Sequence, residues 1–242
     1  MEPRPSCELV FNIWGRCCWG DVIFANGLTD PSLSSVDLLE SNTSFPLRVI
    51  AAAQCFENLR FLTIGTVMEA QIAPDFHNAY VVSKAKLSEF ASRAGKQTLR
   101  GRILHLRLHT LYGDAPPHPH MFLGQILASI REGRPFAMSS GKQYRQYHHA
   151  DDVSRAILAL TERERLSETC LQLNSAETFQ LQIIARSIFK EFGCEALLKV
   201  GLLSGLAGEI ENNPNYVPTF QESDRIFRPT ISGIVSCLRK QL

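Results

Sequence analysis

Tyr80 and Lys84 stand four residues apart in the run AYVVSKAK, residues 79–86. In a helix the two side chains leave the same face one turn apart and can meet at one ligand. A phenol with an ordinary pKa near ~10 is a poor acid-base group at neutral pH, but a neighbouring ammonium favours the phenolate. Tyr80 would then exchange a proton with a hydroxyl or carbonyl. A hydroxyl at the end of the preceding strand would hydrogen-bond the same oxygen, and Thr66 follows the apolar run LRFLTI, residues 59–64. Together Thr66, Tyr80 and Lys84 would make an oxidation site for an alcohol. The plain alternative is a half-buried helix aromatic beside a solvated lysine. Both types are common on helix surfaces, and spacing alone does not separate the two readings.

Positioning such groups needs strands that feed helices across tight turns, and the chain alternates short apolar runs with helix-period segments. Residues 21–25 read as a buried strand broken at Asn26-Gly27. Residues 35–56 read as a helix with Val36, Leu39, Thr43, Leu47 and Ile50 on one side and a kink at Pro46. A strand at 59–64, a helix at 78–94 with Asn78 as N-cap and Gly95 as stop, and a strand at 102–108 follow. Further on, the pattern predicts helices at 121–131, ending at Gly133, and at 151–161. A strand at 170–173 and a helix capped by Thr178 and stopped at Gly193 complete the pattern. Residues 201–220 read as loops, and the tail carries no assignable element. A mostly parallel sheet places its ligand at the carboxyl ends of the strands, so Asn26-Gly27, Gly65-Thr66 and His109-Thr110 should border one crevice.

Composition narrows the partners. The 242 residues are 45% hydrophobic and 20% charged with a formal net charge of +1, which gives no broad electrostatic footprint for nucleic acid. A small-molecule partner is the default. Seven cysteines without a C-x-x-C spacing point to reduced thiols, so neither structural zinc nor a disulfide framework is expected. His118, His120, His148 and His149 do not make a four-ligand zinc set, and no metal is expected. No stretch approaches the roughly 18–20 apolar residues of a membrane span, and no secretory leader is legible. The expected location is the cytoplasm, with no membrane partner.

Several segments resemble the extended short-chain dehydrogenases/reductases, the NAD-dependent sugar-nucleotide epimerases and dehydratases. They are DVIFANGLTDP (21–31), LLESNTSFPLRVIAAA (38–53), FLTIGT (61–66), YVVSK (80–84), LRLHTLYGD (106–114), GKQYRQYHHADDVSRAI (141–157) and NSAETFQLQIIARSIFKEFG (174–193), in the family's order. The resemblance implies an α/β fold, a Rossmann-like doubly wound parallel sheet that is N-terminally truncated, with a small irregular C-terminal substrate lobe. It divides the chain into an atypical segment 1–20, a catalytic core 21–174 with a substrate-lobe insertion at about 114–150, and a substrate-binding lobe 175–242. It implies hydride transfer at a carbon of a nucleotide sugar, with NAD or NADP as cofactor, Tyr80 as acid-base group and Thr66 polarising the oxygen. Lys84 would also hold the nicotinamide ribose. Ala25, Asn26, Gly27 and Asn42 match the turn and helix beside the cofactor, and Thr110 and Arg145 match substrate positions. Arg145 offers a planar fork suited to phosphates, although a surface ion pair with Asp151 or Asp152 is its simpler use. The family's usual homodimer would pair the helices that carry Asn42 and Tyr80.

The departures are as specific as the matches. The resemblance enters at the family's fourth strand by residue 21, and the Gly-x-x-Gly-x-x-Gly turn that approaches the pyrophosphate is not legible; Gly15 and Gly20 lack its spacing. The expected consequences are loss of most adenosine and pyrophosphate contacts and an open sheet edge, with 10–14 as a candidate substitute strand. A second functional reading follows from this, a catalytically impaired remnant that binds a nucleotide sugar or a partner without turnover. Thr110 stands where the family usually has Asn, Met68-Glu69 where it often has Tyr-Gly, and Gln146 where an Asp follows the arginine. The short interval from Thr66 to Tyr80 resembles the deoxysugar reductases more than the galactose epimerases.

Overall fold

The computed structural model describes residues 20–30, 32–71, 78–164, 166–204 and 226–242. The candidate strand at 10–14 and most of the loop expected at 201–220 lie outside them. Two compact units share the chain. One comprises the described parts of Met1–Leu108 with Thr161–Gln172, the other the described parts of His109–Leu160 and Leu173–Leu242.

In the first unit, strands β1 (Gly20–Phe24), β2 (Leu59–Thr66), β3 (Ile103–Leu108) and β4 (Cys170–Gln172) lie side by side in that order, all parallel. Among the described residues β1 pairs only with β2, so it forms one edge. Helices α1 (Ser35–Leu39), α2 (Phe45–Ala53) and α3 (Ala79–Lys96) connect the strands. Strand side chains alternate between faces, and register sets Phe61 beside Val22 and Ile103. On that face Phe61 and Ile103 join Ile50 and Ala53 of α2 and Ala91 and Ala94 of α3 in one apolar cluster. Two and four residues further along, the same face carries Thr63, Gly65, His105 and Arg107, so it turns polar towards the strand ends.

The helix predicted over 35–56 is interrupted. Pro46 has no amide to continue the α ladder, and the chain makes a π turn at Glu40–Ser44, where the Phe45 amide reaches back to the Glu40 carbonyl. The extra residue changes which side faces inward. Leu38, Asn42, Pro46 and Ile50 are buried, whereas Val36, expected inward, is 72% exposed. Asn78 caps α3 as expected, its side chain accepting from the Val81 amide at 3.2 Å. Gly95 does not stop α3. It lies inside the helix where a Cβ would stand 2.4 Å from Thr169 Cγ2, so glycine serves a close approach there.

The second unit holds α4 (Phe122–Glu132), closed by Gly133 at φ 61°, then α5 (Ala150–Thr161), α6 (Leu181–Glu191) and α7 (Thr230–Arg239). Ile126, Ile184, Ile188, Phe189 and Ile234 centre its apolar cluster. Thr178 does not cap α6. Its hydroxyl accepts from Gln146 Nε2 at 2.9 Å, while Phe179 and Gln180 pair antiparallel with Tyr144 and Arg145 before the helix starts. The tail that resisted assignment contains α7, whose β-branched residues and Gly233 disguise a helix held by burial of Ile234, Val235 and Leu238. Among the described residues no helix is long and apolar enough to cross a membrane.

Candidate active site

The site begins where β2 ends. At Gly65 a Cβ would stand 2.1 Å from His105 Nε2 and 2.6 Å from Glu69 Oε2, so no other residue fits without moving both. Thr66 follows, buried, with its amide donating to Glu69 Oε2 at 3.3 Å and its hydroxyl accepting from the Met68 amide at 3.4 Å. The capped start of α3 then presents Tyr80 and, one turn on, Lys84. Lys84 is 5% exposed and donates to the Ile64 carbonyl at 3.0 Å. The Thr66 side chain acts on the Tyr80 phenol and draws its pKa down.

Asn42 ties the β1 turn to this helix. Its Oδ1 accepts from the Leu28 amide at 2.9 Å, and its Nδ2 donates to the Leu28 carbonyl at 3.0 Å and to Ser83 Oγ at 2.9 Å. Thr43 Oγ1 donates to the Ser83 carbonyl at 2.7 Å. A small residue is therefore needed at 83. Asn26 Nδ2 donates to the Ser41 carbonyl at 2.8 Å, and Ala25 precedes it at the end of β1. Gly27 has φ 146°, and a Cβ there would lie 2.7 Å from Asn42 Oδ1 and 2.9 Å from Lys84 Nζ. The backbone thus passes Asn42 and Lys84 with no room for a side chain.

Burial pushes the Tyr80 phenol above its ordinary range, the negative charge of Glu69 adds to this, and only the Thr66 side chain opposes it. Burial pushes Lys84 down while Glu69 pulls it back up. Sequence reasoning had Lys84 drawing Tyr80 towards the phenolate. In the structure the ammonium is spent on the Ile64 carbonyl, and a carboxylate that the sequence treated only as a departure faces both groups. Burial would raise Glu69 itself, but hydrogen bonds from His105, then Arg107 and the Thr66 amide, hold it below the usual carboxylate range. The signal that could have found this network is His105 and Arg107 alternating on one face of an otherwise apolar strand.

Thr110 and Arg145 belong to the second unit. Thr110 opens a parallel pairing with Tyr147, and Arg145, half-buried, donates to the Tyr144 carbonyl at 2.8 Å. Its simpler use as an ion-pair partner is not realised among the described residues, because Asp152 is held by Arg155 and Arg228 and Asp151 lies near Arg228. The four histidines weighed as metal ligands do not converge. Asp114, His149 and Cys237 do approach one another, with ligand atoms within 4.8 Å. His149 Nδ1, however, accepts from the Asp151 amide at 3.1 Å, which leaves the proton on Nε2, and Asp114 already pairs with Lys240 at 2.8 Å. That set offers no free lone pair from its imidazole.

A parallel sheet whose central strand ends in a hydroxyl beside a Tyr-x-x-x-Lys helix is the architecture of the extended short-chain dehydrogenases/reductases. A sequence model of the NAD dependent epimerase/dehydratase family matches residues 24–171, and the chain belongs to that family. Solved structures share the fold. UDP-N-acetylglucosamine 4-epimerase from Methanobrevibacter ruminantium M1 matches with TM-score 0.72 at 12% identity, over 91% of this chain and 76% of that one. UDP-glucuronic acid 4-epimerase from Bacillus cereus, solved with UDP-glucuronic acid and NAD, gives 0.67 at 17% identity over 90% and 74%. dTDP-glucose 4,6-dehydratase from Bacillus anthracis, solved with NAD, gives 0.67 at 14% over 97% and 76%. No curated protein matches the chain.

Proposed function

We propose that the chain is a nicotinamide-dependent oxidoreductase, epimerase or dehydratase acting on a nucleotide sugar. The observation that carries this reading is the meeting of Thr66, Tyr80 and Lys84 at one strand end, with Thr66 acting on the Tyr80 phenol and Lys84 buried beside Gly27 and bonded to the Ile64 carbonyl. The residues present fit the nicotinamide-ribose half of a dinucleotide. Glycine at 27 lets the backbone of the turn pack directly against Asn42 and Lys84, which gives the strand end an amide and an ammonium. Ala25, Asn26, Gly27, Asn42, Tyr80 and Lys84 would hold that half. NAD is the cofactor bound by the solved relatives; NADP is the alternative that the titration below separates. When bound, the nicotinamide supplies the hydride acceptor or donor.

The chain's own groups supply the rest. Tyr80, a neutral phenol at physiological pH, exchanges its proton with the substrate oxygen. Thr66 hydrogen-bonds the same oxygen, and Lys84, anchored on the Ile64 carbonyl, stands one helical turn from Tyr80 on the same face. We assign substrate contact to Thr110 and Arg145, the latter through its guanidinium fork to the phosphates of a nucleotide sugar, and substrate binding to the insertion at about 114–150 and the lobe at 175–242. A homodimer and a cytoplasmic location complete the reading; Val36 and Phe45, exposed on the helices flanking Asn42, supply apolar surface for such pairing.

Titration with NADH and NADPH, followed by nicotinamide fluorescence, tests the reading. Submillimolar binding of one cofactor, weakened about tenfold or more by Lys84→Ala, is expected, that factor corresponding to about 1.4 kcal/mol. No binding of either cofactor at millimolar concentration would sink it.

A further inference from the structure

Glu69 has a side chain with no exposed surface. A buried carboxylate is costly unless paired and fully hydrogen-bonded, and this one is both. Oε1 accepts from His105 Nε2 at 2.7 Å and from Arg107 Nε at 2.9 Å, and Oε2 accepts from the Thr66 amide. The network is anchored further out. With Nε2 donating to the carboxylate, His105 Nδ1 accepts from Thr63 Oγ1 at 2.8 Å, and Arg107 also donates to Ser88 Oγ of α3 at 3.3 Å. Gly65 lies flat against both His105 and Glu69. Strand β3 and helix α3 therefore hold the carboxylate, and the carboxylate holds the turn that carries Thr66.

From this geometry we propose that Glu69 is a positioning residue of the site: it locks the strand-end turn bearing Thr66 and stands as a fixed negative charge facing Tyr80 and Lys84. The inference rests on the reading of Thr66, Tyr80 and Lys84 given above. The titratable and charged groups that face Glu69 are Tyr80 and Lys84 from α3, His105 and Arg107 from β3, and Cys170 from β4. Burial raises the Tyr80 pKa and Glu69 raises it further, while burial lowers that of Lys84 and Glu69 opposes this, so the carboxylate favours the protonated form of both groups. The family resemblance would put glycine at this position, and glycine has no group to serve either role.

The test labels the five tyrosines with carbon-13 at Cζ and follows their ionisation by NMR, with Tyr80→Phe assigning the signal. In Glu69→Gln the Tyr80 midpoint should fall by about half a pH unit or more, a threefold or greater change in its ionisation constant. The Thr66 amide, exchanging slowly in the unmodified protein, should exchange about tenfold faster in the variant. A folded Glu69→Gln protein with both readouts unchanged overturns the proposal, whereas a purely structural role would lower stability and leave the Tyr80 midpoint in place. Should the variant not fold, the unmodified protein decides. A Thr66 amide exchanging as slowly as its β2 neighbours supports the lock, and one exchanging like a loop amide overturns it. Neither readout uses cofactor, so failure of the nicotinamide titration and failure of this proposal remain distinguishable.

Discussion

Under helix α3 the first unit buries Glu69, His105, Lys84, Asn42 and Thr63 in a hydrogen-bonded layer, whereas the second unit packs Ile126, Ile184, Ile188, Phe189 and Ile234 against one another. The apolar core is specified by volume and shape, and its members can exchange places with modest losses as long as the space is filled. In the polar layer each donor has a particular acceptor, so removing one member strands another. The apolar core contributes stability; the polar layer fixes orientation, which a site for proton exchange needs. The second unit nevertheless buries polar groups of its own, among them the imidazoles of His109 and His148, edge to face at 5.2 Å.

The largest expected effect is in the apolar core. Phe189→Ala removes a fully buried ring and should lower unfolding free energy by about 3–5 kcal/mol, read from urea denaturation. A loss below about 1 kcal/mol would mean that this unit's core is looser than its burial indicates.

Acid comes next. Burial pushes His109 down to about 4, against the hydrogen bond it donates to Asn174 Oδ1, and pushes His148 down to about 3, with His109 adding to the shift. Below an ordinary imidazole pKa near ~6.5 the unfolded chain takes up protons that the folded chain refuses, so stability falls as pH drops from there towards those values. Between pH 7 and 5 the two imidazoles should remove on the order of 2–4 kcal/mol. Asp152 and Glu69, held low by their partners, add to the loss at still lower pH. Denaturation midpoints across that range check the slope, and His148→Leu should flatten it; an unchanged slope in the variant would remove His148 from the account.

The smallest effect sharpens the contrast from the polar side. Thr63→Val is almost isosteric, yet it leaves His105 Nδ1 without its donor in a buried place, and should cost about 1–3 kcal/mol in thermal or urea unfolding. A neutral result would indicate that the layer tolerates a missing member as an apolar core does.

The catalytic helix was legible because its information is local. The N-cap Asn78, the i,i+4 pair Tyr80 and Lys84, and the small Ser83 all lie within one short stretch. The four strands of the first unit were legible within a residue or two from their apolar runs, whereas the short strands of the second unit were not. What sequence could not supply depends on partners distant along the chain. Gly95 reads as a helix stop until Thr169 stands against it, and Thr178 reads as a cap until Gln146 claims its hydroxyl. Glu69 looks like a departure from a motif until His105 and Arg107, 36 and 38 residues away, are placed on the adjoining strand. The helix at 230–239 has weak local propensity and owes its form to what it buries.

The π turn at Glu40–Ser44 acts as a phase shifter between two stretches of helix. Each residue in an α-helix advances the azimuth by about 100°, so deleting one residue there would let the segment relax to regular α geometry and turn everything before it by that angle relative to α2. Asn42 sits inside the shifter. Its two bonds to Leu28 and its one to Ser83 can be made together only at the present phase. Changes in chain length within those five residues are therefore changes of aim, felt at the Gly27 turn and at Lys84 before they are felt in the core.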